Sequence, residues 1–210
     1  MRELHSLRVL GVDLAGSERR DTGICILDEE LVARTFLVRS DEEIVGVALD
    51  VRPALVAIDA PLSIPKGRRS IEDRSGPHLR ECDRALLELG IRFFPVTLGP
   101  MRMLTQRGIR LKERLERLGF EVVEVFPGGA QDVLGIPRKS KGLEGLRLGL
   151  ERLGIRGMRE GATADELDAA TAAYVGLLYL RGEATVLGGV DGAIVMPKMD
   201  EWIASRRRSL

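Results

Sequence analysis

The sequence has few of the residues that build disulfide or zinc frameworks. Its 210 residues include only two cysteines and two histidines, without the cysteine spacing of a metal site. Cys25 and Cys82 are too few for a disulfide scaffold, and His5 and His78 lie far apart in the chain. These absences argue against a disulfide-rich secreted protein and against a zinc site.

Long hydrophobic runs and net charge are also missing. No stretch approaches the roughly 18 uninterrupted apolar residues of a membrane span, and residues 1–6 lack the apolar run of a signal peptide. We therefore expect a cytoplasmic protein without a membrane partner. The 32 basic and 32 acidic residues balance, which excludes a protein that binds nucleic acid through global basicity alone.

Aromatic and amide side chains are scarce. Aromatic residues make up 4% of the chain, which gives little support to single-strand binding by base stacking, and we expect the pair Phe93-Phe94 to pack in the core. There is no asparagine, there are two glutamines, and arginine outnumbers lysine by 27 to 5. Few thermolabile amides and many ion-pairing residues suit a thermophilic source, although a GC-rich genome would explain the arginines equally well.

Apolar residues, by contrast, are sufficient for one core. With 44% hydrophobic residues, residues 1–210 are predicted to form a single domain. The first part of the chain predicts the order β-β-β-α-β, with a capping box at Ser40 opening the helix. The run Leu55–Ile58 is apolar throughout, which is typical of a parallel strand buried on both faces. We expect an α/β fold with a mixed sheet. Strands are predicted at 7–14, 23–27, 31–38, 54–59 and 120–126, a strand or turn at 192–196, and later helices at 129–134, 143–153, 163–181 and 199–207.

Residues 66–117 differ in charge from the rest of the chain. They carry 13 basic and seven acidic residues, so this segment is +6 and the remainder is −6. Helices are predicted at 77–89 and 100–118, and we interpret the segment as a basic, helical insertion after the fourth strand. The neutral total therefore conceals a separation of charge.

Acidic residues occupy positions where folding alone would not place them. Asp13 lies near the end of the first predicted strand, Asp59 ends the fourth, and Glu124 lies inside the next. Asp165 and Asp168 fall three apart on one face of a late predicted helix. Converging carboxylates repel one another when desolvated, and a divalent cation removes that repulsion. Hard oxygen ligands suit Mg²⁺ or Mn²⁺, and two such ions about 4 Å apart can promote phosphodiester cleavage.

Each of these acids also has an ordinary interpretation. Asp13 and Asp59 could begin turns, Glu124 could face solvent, and Asp165 could simply interact with a helix dipole. The joint pattern favours a site, because the β-β-β-α-β order places Asp13 and Asp59 on adjacent strands. The small residues after Asp168 would also let its helix approach the sheet closely.

The order of these motifs resembles that of the ribonuclease H-like nucleases and resolvases. In those proteins the first strand carries an aspartate and begins a three-stranded meander. A helix, a second strand that ends in an acid and a late acidic helix follow. Over Val9–Pro197 the chain is more closely similar to domain-of-unknown-function family 429, described as predicted nucleases with a ribonuclease H-like fold. The motifs that carry this resemblance are Gly11–Ser17 (GVDLAGS), Ala57–Ser63 (AIDAPLS), Arg80–Arg84 (RECDR), Glu124–Pro127 (EVFP) and Asp165–Ala169 (DELDA).

The resemblance implies a ribonuclease H-like mixed sheet flanked by helices and a metal-nuclease site. Carried over to this chain, the metal ligands would be Asp13, Asp59, Asp165 and Asp168, all of them catalytic together with Glu124. Glu124 departs from the simplest nuclease pattern, which takes its second acid from the fourth strand, so it could orient water or bind a basic partner such as Arg80. Resolvase-like relatives are often dimers, so the resemblance is compatible with a homodimer, although the sequence does not fix the oligomeric state.

Basic residues near these acids are the predicted contacts to a nucleic-acid substrate. Phosphate contacts from such residues give an affinity that falls with salt. One group follows Asp59 along the chain and another forms a later cationic loop. The candidates are Arg68, Arg69, Arg74, Arg80, Lys139 and Lys141.

Three functions are compatible with the sequence, and a divalent-metal-dependent nuclease is favoured. An ATP-binding enzyme of the related actin/sugar-kinase superfamily would open with a similar turn, but such folds need two lobes, and the chain has no glycine-rich phosphate loop. A non-catalytic module of the same fold could bind nucleic acid or protein. Against it, four converging carboxylates without a metal would repel one another.

Overall fold

A computed structural model describes residues 7–207, so the predicted lack of a signal peptide at residues 1–6 concerns residues outside that range. Seven strands form one mixed sheet in the order β3-β2-β1-β4-β5-β7-β6. The strands are β1 (Arg8–Asp13), β2 (Thr22–Asp28), β3 (Ala33–Val38), β4 (Leu55–Asp59), β5 (Val122–Val125), β6 (Ala184–Gly188) and β7 (Ala193–Pro197). The strand order and pairing confirm the predicted α/β class, its β-β-β-α-β start and its mixed sheet flanked by helices.

Strand β1 is hydrogen-bonded on both sides, to β2 in antiparallel and to β4 in parallel orientation. The side chains along β1 and β4 are almost all buried, as expected for interior strands. In the parallel pair, Asp13 lies directly opposite Asp59. Two neighbouring strands therefore end in aspartate at the same edge of the sheet.

Helices cover both faces of this sheet. Both predicted capping boxes are present: the Glu43 N–H donates to Ser40 Oγ, and the Glu166 N–H donates to Thr163 Oγ1. The helices are α1 (Asp41–Val51), α2 (Glu81–Glu88), α3 (Gly99–Arg117), α4 (Pro127–Leu134), α5 (Leu143–Arg152), α6 (Ala164–Leu180) and α7 (Asp200–Arg207), with a short 3₁₀ helix at Lys139–Lys141.

Successive side chains of β1 enter two different cores. Val9 packs on one face with residues of α5 and α6, whereas Leu10 and Val12 pack on the other with residues of α1 and α3. Leu111 of α3 belongs to this second core, so the basic segment supplies part of the central packing as well as a surface.

Helix α6 lies unusually close to β1 and β2 because both partners have small residues. A Cβ at Gly11 would lie 2.1 Å from the carbonyl oxygen of Ala169, and a Cβ at Gly23 would lie 2.0 Å from that of Asp165. Glycine is therefore needed at both strand positions. This close approach brings the acidic start of α6 to the edge of the sheet.

The structure differs from the sequence predictions at two elements, α2 and β6. Residues 60–80 form no helix or strand, and the helix predicted from residue 77 begins at Glu81, because Arg80 is extended and caps it. Strand β6 was not predicted, and the predicted strand or turn at 192–196 is the strand β7. Within residues 7–207, no helix combines the length and apolar character needed to cross a bilayer.

Candidate functional site

Three aspartates meet at the edge of the sheet where β1 and β4 end. One carboxylate oxygen each of Asp13, Asp59 and Asp168 lies within 4.8 Å of the others. Strand pairing places the first two, and the close approach of α6 adds the third. We call these three residues the aspartate cluster.

Burial makes ionisation of this cluster unfavourable. Burial, and then the neighbouring Asp168, raises the pKa of Asp13 to about 8, against the opposing effect of Lys139. Burial and the charges of Asp13 and Asp168 likewise raise the pKa of Asp59 well above its ordinary value. The cluster therefore holds carboxyl groups whose negative charges are poorly compensated by the protein.

The donor set of the cluster fits a hard divalent cation. Within the described chain, Asp13 Oδ2 is buried and has no hydrogen-bond partner, and a buried acceptor in that state is costly. Three carboxylates supply the oxygen ligands that Mg²⁺ and Mn²⁺ prefer. A cation here would bind the oxygen that lacks a hydrogen bond, and it would also offset the repulsion that adds to burial in raising the pKa values of Asp13 and Asp59.

Asp165 lies beside the cluster without being one of its three members. Its carboxyl interacts with that of Asp13 and contributes to the raised pKa of Asp13. Of the four predicted metal ligands, the structure thus brings three into one cluster and places the fourth next to Asp13.

Lys139 supplies a positive charge to the cluster. Its Nζ lies 2.7 Å from Asp168 Oδ2 and 3.9 Å from Asp13 Oδ2. Burial lowers the pKa of Lys139, but the carboxylates of Asp168 and Asp13 outweigh that effect and raise it. The ammonium group is therefore a cation held at the cluster by the protein itself, while Lys141 is exposed and lies outside the cluster.

Gln131 fixes the orientation of Asp168, and sequence reasoning did not select it. Its Nε2 donates to Asp168 Oδ1 at 2.7 Å and to Thr171 Oγ1 at 3.1 Å. Gln131 is on α4 and Asp168 on α6, so no local sequence pattern could have joined them. The chain has only two glutamines, and this rarity was the one sequence feature that could have drawn attention to Gln131.

Glu124 forms a buried ion pair with Arg80. The Arg80 guanidinium donates to both carboxylate oxygens, at 2.7 and 2.8 Å, and the Leu62 N–H donates to Glu124 Oε2 at 2.8 Å. Arg80 also pairs with Asp83 at 2.9 Å and is 2% exposed. Burial raises the pKa of Glu124, although Arg80 opposes the change. Of the two roles considered for Glu124, the structure shows the contact with a basic partner.

The predicted substrate-binding arginines fall into two groups. Arg80 is buried in the pair with Glu124, and the Arg68 guanidinium donates to the carbonyl oxygens of Asp73 and Pro77 within its own loop. Both side chains are thus bound to protein groups. Arg69 and Arg74, in contrast, are exposed.

A pocket of about 490 Å³ opens beside the aspartate cluster. We call it the side pocket. The cluster forms part of its wall, and Arg80 and Glu124 form another part. Much of the remaining wall is apolar or basic. These wall residues include Leu86, Phe93, Phe94, Met101, Leu104, Phe126, Ile194, Arg92, Arg138 and Lys139.

Comparison with known proteins places this arrangement in a family. No curated protein gives a significant match to the sequence. The structure of Thermus thermophilus RuvC is similar at 14% identity with a TM-score of 0.48, covering 84% of this chain and 97% of that one. A structure of T. thermophilus RuvC in complex with Holliday junction substrate is similar at 15% identity with a TM-score of 0.42, covering 84% and 96%. Because the family model matches residues 11–192, the chain belongs to the family described as "Protein of unknown function (DUF429)", as its motifs predicted.

Proposed function

We propose that this protein is a divalent-metal-dependent nuclease whose centre is the aspartate cluster. The observation that carries the proposal is the convergence of Asp13, Asp59 and Asp168 within 4.8 Å, with one buried oxygen of Asp13 lacking a hydrogen-bond partner among residues 7–207. A structural role alone would not require three carboxylates whose charges oppose one another.

The residues present fit Mg²⁺ or Mn²⁺. Asp13, Asp59 and Asp168 would hold the ion, and Asp165, beside Asp13, would add a fourth carboxylate. When bound, a divalent cation supplies the positive charge that activates water and stabilises charge on a phosphodiester. Gln131 would keep Asp168 oriented through its 2.7 Å hydrogen bond.

Exposed cations of the protein would bind the phosphates of a nucleic acid. Arg69, Arg74 and Lys141 are exposed, and Lys139 reaches the cluster itself. Arg92 is exposed and lines the side pocket. These side chains can contact phosphate, whereas the buried Arg68 and Arg80 would stabilise the loop and the wall of the site.

A non-catalytic nucleic-acid-binding module is a second candidate because of one observation. The Lys139 ammonium already lies 2.7 Å from Asp168 Oδ2, and a protein that never binds metal could use it to neutralise part of the cluster. The two candidates differ in whether the protein binds Mn²⁺ and cleaves a phosphodiester.

The test combines metal binding with a cleavage screen. Single-stranded, double-stranded and four-way-junction DNA, and single- and double-stranded RNA, are incubated with Mg²⁺ or Mn²⁺, and Mn²⁺ binding is measured by calorimetry. We expect cleavage of at least one substrate. Because changing residues around metal ligands already costs about 10- to 100-fold, Asp13→Asn and Asp59→Asn are expected to lower activity by at least about 100-fold.

Asp50→Asn is the matched control, because Asp50 is an exposed aspartate on α1. This variant is expected to retain wild-type activity and Mn²⁺ affinity. Failure to bind Mn²⁺ together with failure to cleave any substrate would overturn the nuclease proposal. Tight nucleic-acid binding in that case would favour the non-catalytic module.

A further inference from the structure

The side pocket has a wall that phosphate binding does not require. Phosphate is recognised by cations and N–H donors, whereas Leu86, Met101 and Leu104 contribute apolar surface. The volume of about 490 Å³ lies within the range of roughly 300–1,000 Å³ typical of small-ligand pockets. The pocket is therefore large enough for a ligand group beyond the phosphate itself.

Three phenylalanine rings line this pocket. Phe93 and Phe126 are partly buried against the third apolar cluster of the protein, but Phe94 is 69% exposed. The sequence had predicted that Phe94 packs in the core, and the structure contradicts this. An aromatic ring left largely in water at the rim of a pocket is costly, and it offers a flat apolar face to a ligand.

Polar groups in the pocket add a hydrogen-bond acceptor and positive charge. Gln131 Oε1 is buried and, within residues 7–207, has no hydrogen-bond partner, whereas Nε2 of the same side chain donates to Asp168. Arg138 lies 5.7 Å from the Phe126 ring centroid and is fixed by Asp132. The wall thus combines aromatic faces, one unused acceptor and cations.

We propose that the side pocket receives one unpaired nucleobase of a nucleic-acid substrate. This inference rests on the proposed function, and it names the kind of substrate: a strand with a bulged, mismatched or single-stranded position. A base offers a flat face for Phe94, N–H donors for the free oxygen of Gln131, and an attached phosphate for Arg92 and Lys139. A base stacked inside a regular duplex cannot enter without leaving its stack.

The position of the side pocket also links base binding to the proposed cleavage at the aspartate cluster. The aspartate cluster and the phenylalanine rings line one pocket, so a base held by the rings brings its neighbouring phosphate toward the carboxylates. An apolar peptide would use the phenylalanine rings but would leave the exposed guanidinium of Arg92 without a ligand group. Arg92 therefore favours a nucleotide over an apolar peptide.

The test measures binding separately from cleavage. Asp59→Asn protein is titrated into two DNA duplexes that differ only in whether a 2-aminopurine is paired or bulged, in Mn²⁺ buffer. We expect the bulged duplex to bind about tenfold more tightly and its 2-aminopurine fluorescence to change on binding, because stacking on an aromatic ring alters the emission of this base.

Two variants assign the effect to the pocket. Phe94→Ala is expected to remove most of the preference for the bulged duplex while leaving binding of the paired duplex unchanged. Because Phe94 is exposed, this change leaves the core intact. Leu118→Ala is the control, since Leu118 is also exposed but lies just beyond the opposite end of α3 from Met101 and Leu104.

The outcomes separate the two proposals. Equal affinity for both duplexes without a fluorescence change, or no binding of either duplex, would overturn the base pocket. Metal-dependent cleavage of paired duplex by the wild-type protein would then still support the nuclease. A preference for the bulged duplex that depends on Phe94, in a protein that cleaves nothing, would support the pocket and overturn the nuclease.

Discussion

Lys139 places an ammonium group where a metal ion would neutralise the aspartate cluster. It lies 2.7 Å from Asp168 Oδ2, yet its side chain is 47% exposed and belongs to a short 3₁₀ helix. Such a contact is readily exchanged for another. On the proposed function, Lys139 would be the cation of the metal-free protein and would become available to a substrate phosphate when a divalent ion binds.

Lys139→Met is predicted to change both the stability and the Mn²⁺ affinity of the protein. In the presence of a chelator, the variant should unfold about 2–4 °C below the wild type, as expected for the loss of about 1 kcal/mol in a partly exposed ion pair. Its Mn²⁺ affinity should rise about 3- to 10-fold because the competing cation is gone. Thermal unfolding and calorimetry measure the two effects.

Lys141→Met is the matched control for this experiment. Lys141 lies on the same 3₁₀ helix and is exposed, so its loss should change neither the midpoint nor the Mn²⁺ affinity. If Lys139→Met instead weakened Mn²⁺ binding, Lys139 would be a component of the metal site rather than a substitute for the metal.

At the residue scale, sequence reasoning could predict acids at strand ends but not their partners. Asp13 and Asp59 were selected because an acid interrupts or ends an apolar run, which is a local feature. The contacts of Gln131 and Lys139 with Asp168 depend on how α4 and the 3₁₀ helix pack against α6, and no local pattern reports this. The pair Glu124–Arg80 was one of two options, since an acid inside a strand can equally face water.

At the scale of elements, the contact of α6 with the sheet determines where Asp168 lies. Gly11→Ala would place a Cβ 2.1 Å from the Ala169 carbonyl oxygen and 2.6 Å from the Ala173 nitrogen. These are backbone atoms, so the helix itself must shift. We expect a loss of about 2–3 kcal/mol in the free energy of unfolding, together with weaker Mn²⁺ binding, measured by urea denaturation and calorimetry.

Gly46→Ala provides the comparison. Gly46 is within α1, and a Cβ there would meet no atom within 4 Å, so the change should be neutral or should stabilise by up to about 1 kcal/mol through helix propensity. Equal stability of Gly11→Ala and Gly46→Ala would show that the sheet and α6 can separate without cost.

The elements themselves were predicted well where local signals are strong. The capping boxes at Ser40 and Thr163 located the starts of α1 and α6 because these hydrogen bonds are local. Strand β6 was missed because it lies at the sheet edge with half-exposed residues, so its sequence lacks a continuous apolar run. The start of α2 was misplaced because the Arg80 backbone is held extended by Asp83.

At the scale of the whole molecule, the +6 charge of residues 66–117 is smaller in effect than the count suggests. Arg107 is 2% exposed and bonds Asp41 and the carbonyl oxygens of Ala15 and Arg39. Arg68 and Arg80 are likewise buried in protein contacts. Several of the basic residues therefore hold the fold together and are not free to bind phosphates.

Because several of these arginines are bound to protein groups, we predict a modest salt dependence of nucleic-acid binding. About five exposed cations would contact phosphate, so a plot of log K against log salt concentration should have a slope of about −3 to −5. Fluorescence anisotropy with the Asp59→Asn protein at several KCl concentrations gives this slope. A value near −10 would mean that a far larger basic surface binds the nucleic acid.

The parallel pairing of Asp13 with Asp59 has a consequence for the ion selectivity of the proposed metal site. The spacing of neighbouring strands, about 4.8 Å, is a constant of sheet geometry, so the distance between these two backbones cannot drift with the sequence. Only the third carboxylate, carried by α6, is adjustable. Substitutions where α6 packs on the sheet would therefore change the preference between a smaller and a larger ion. The distance between the two strand ends would stay the same.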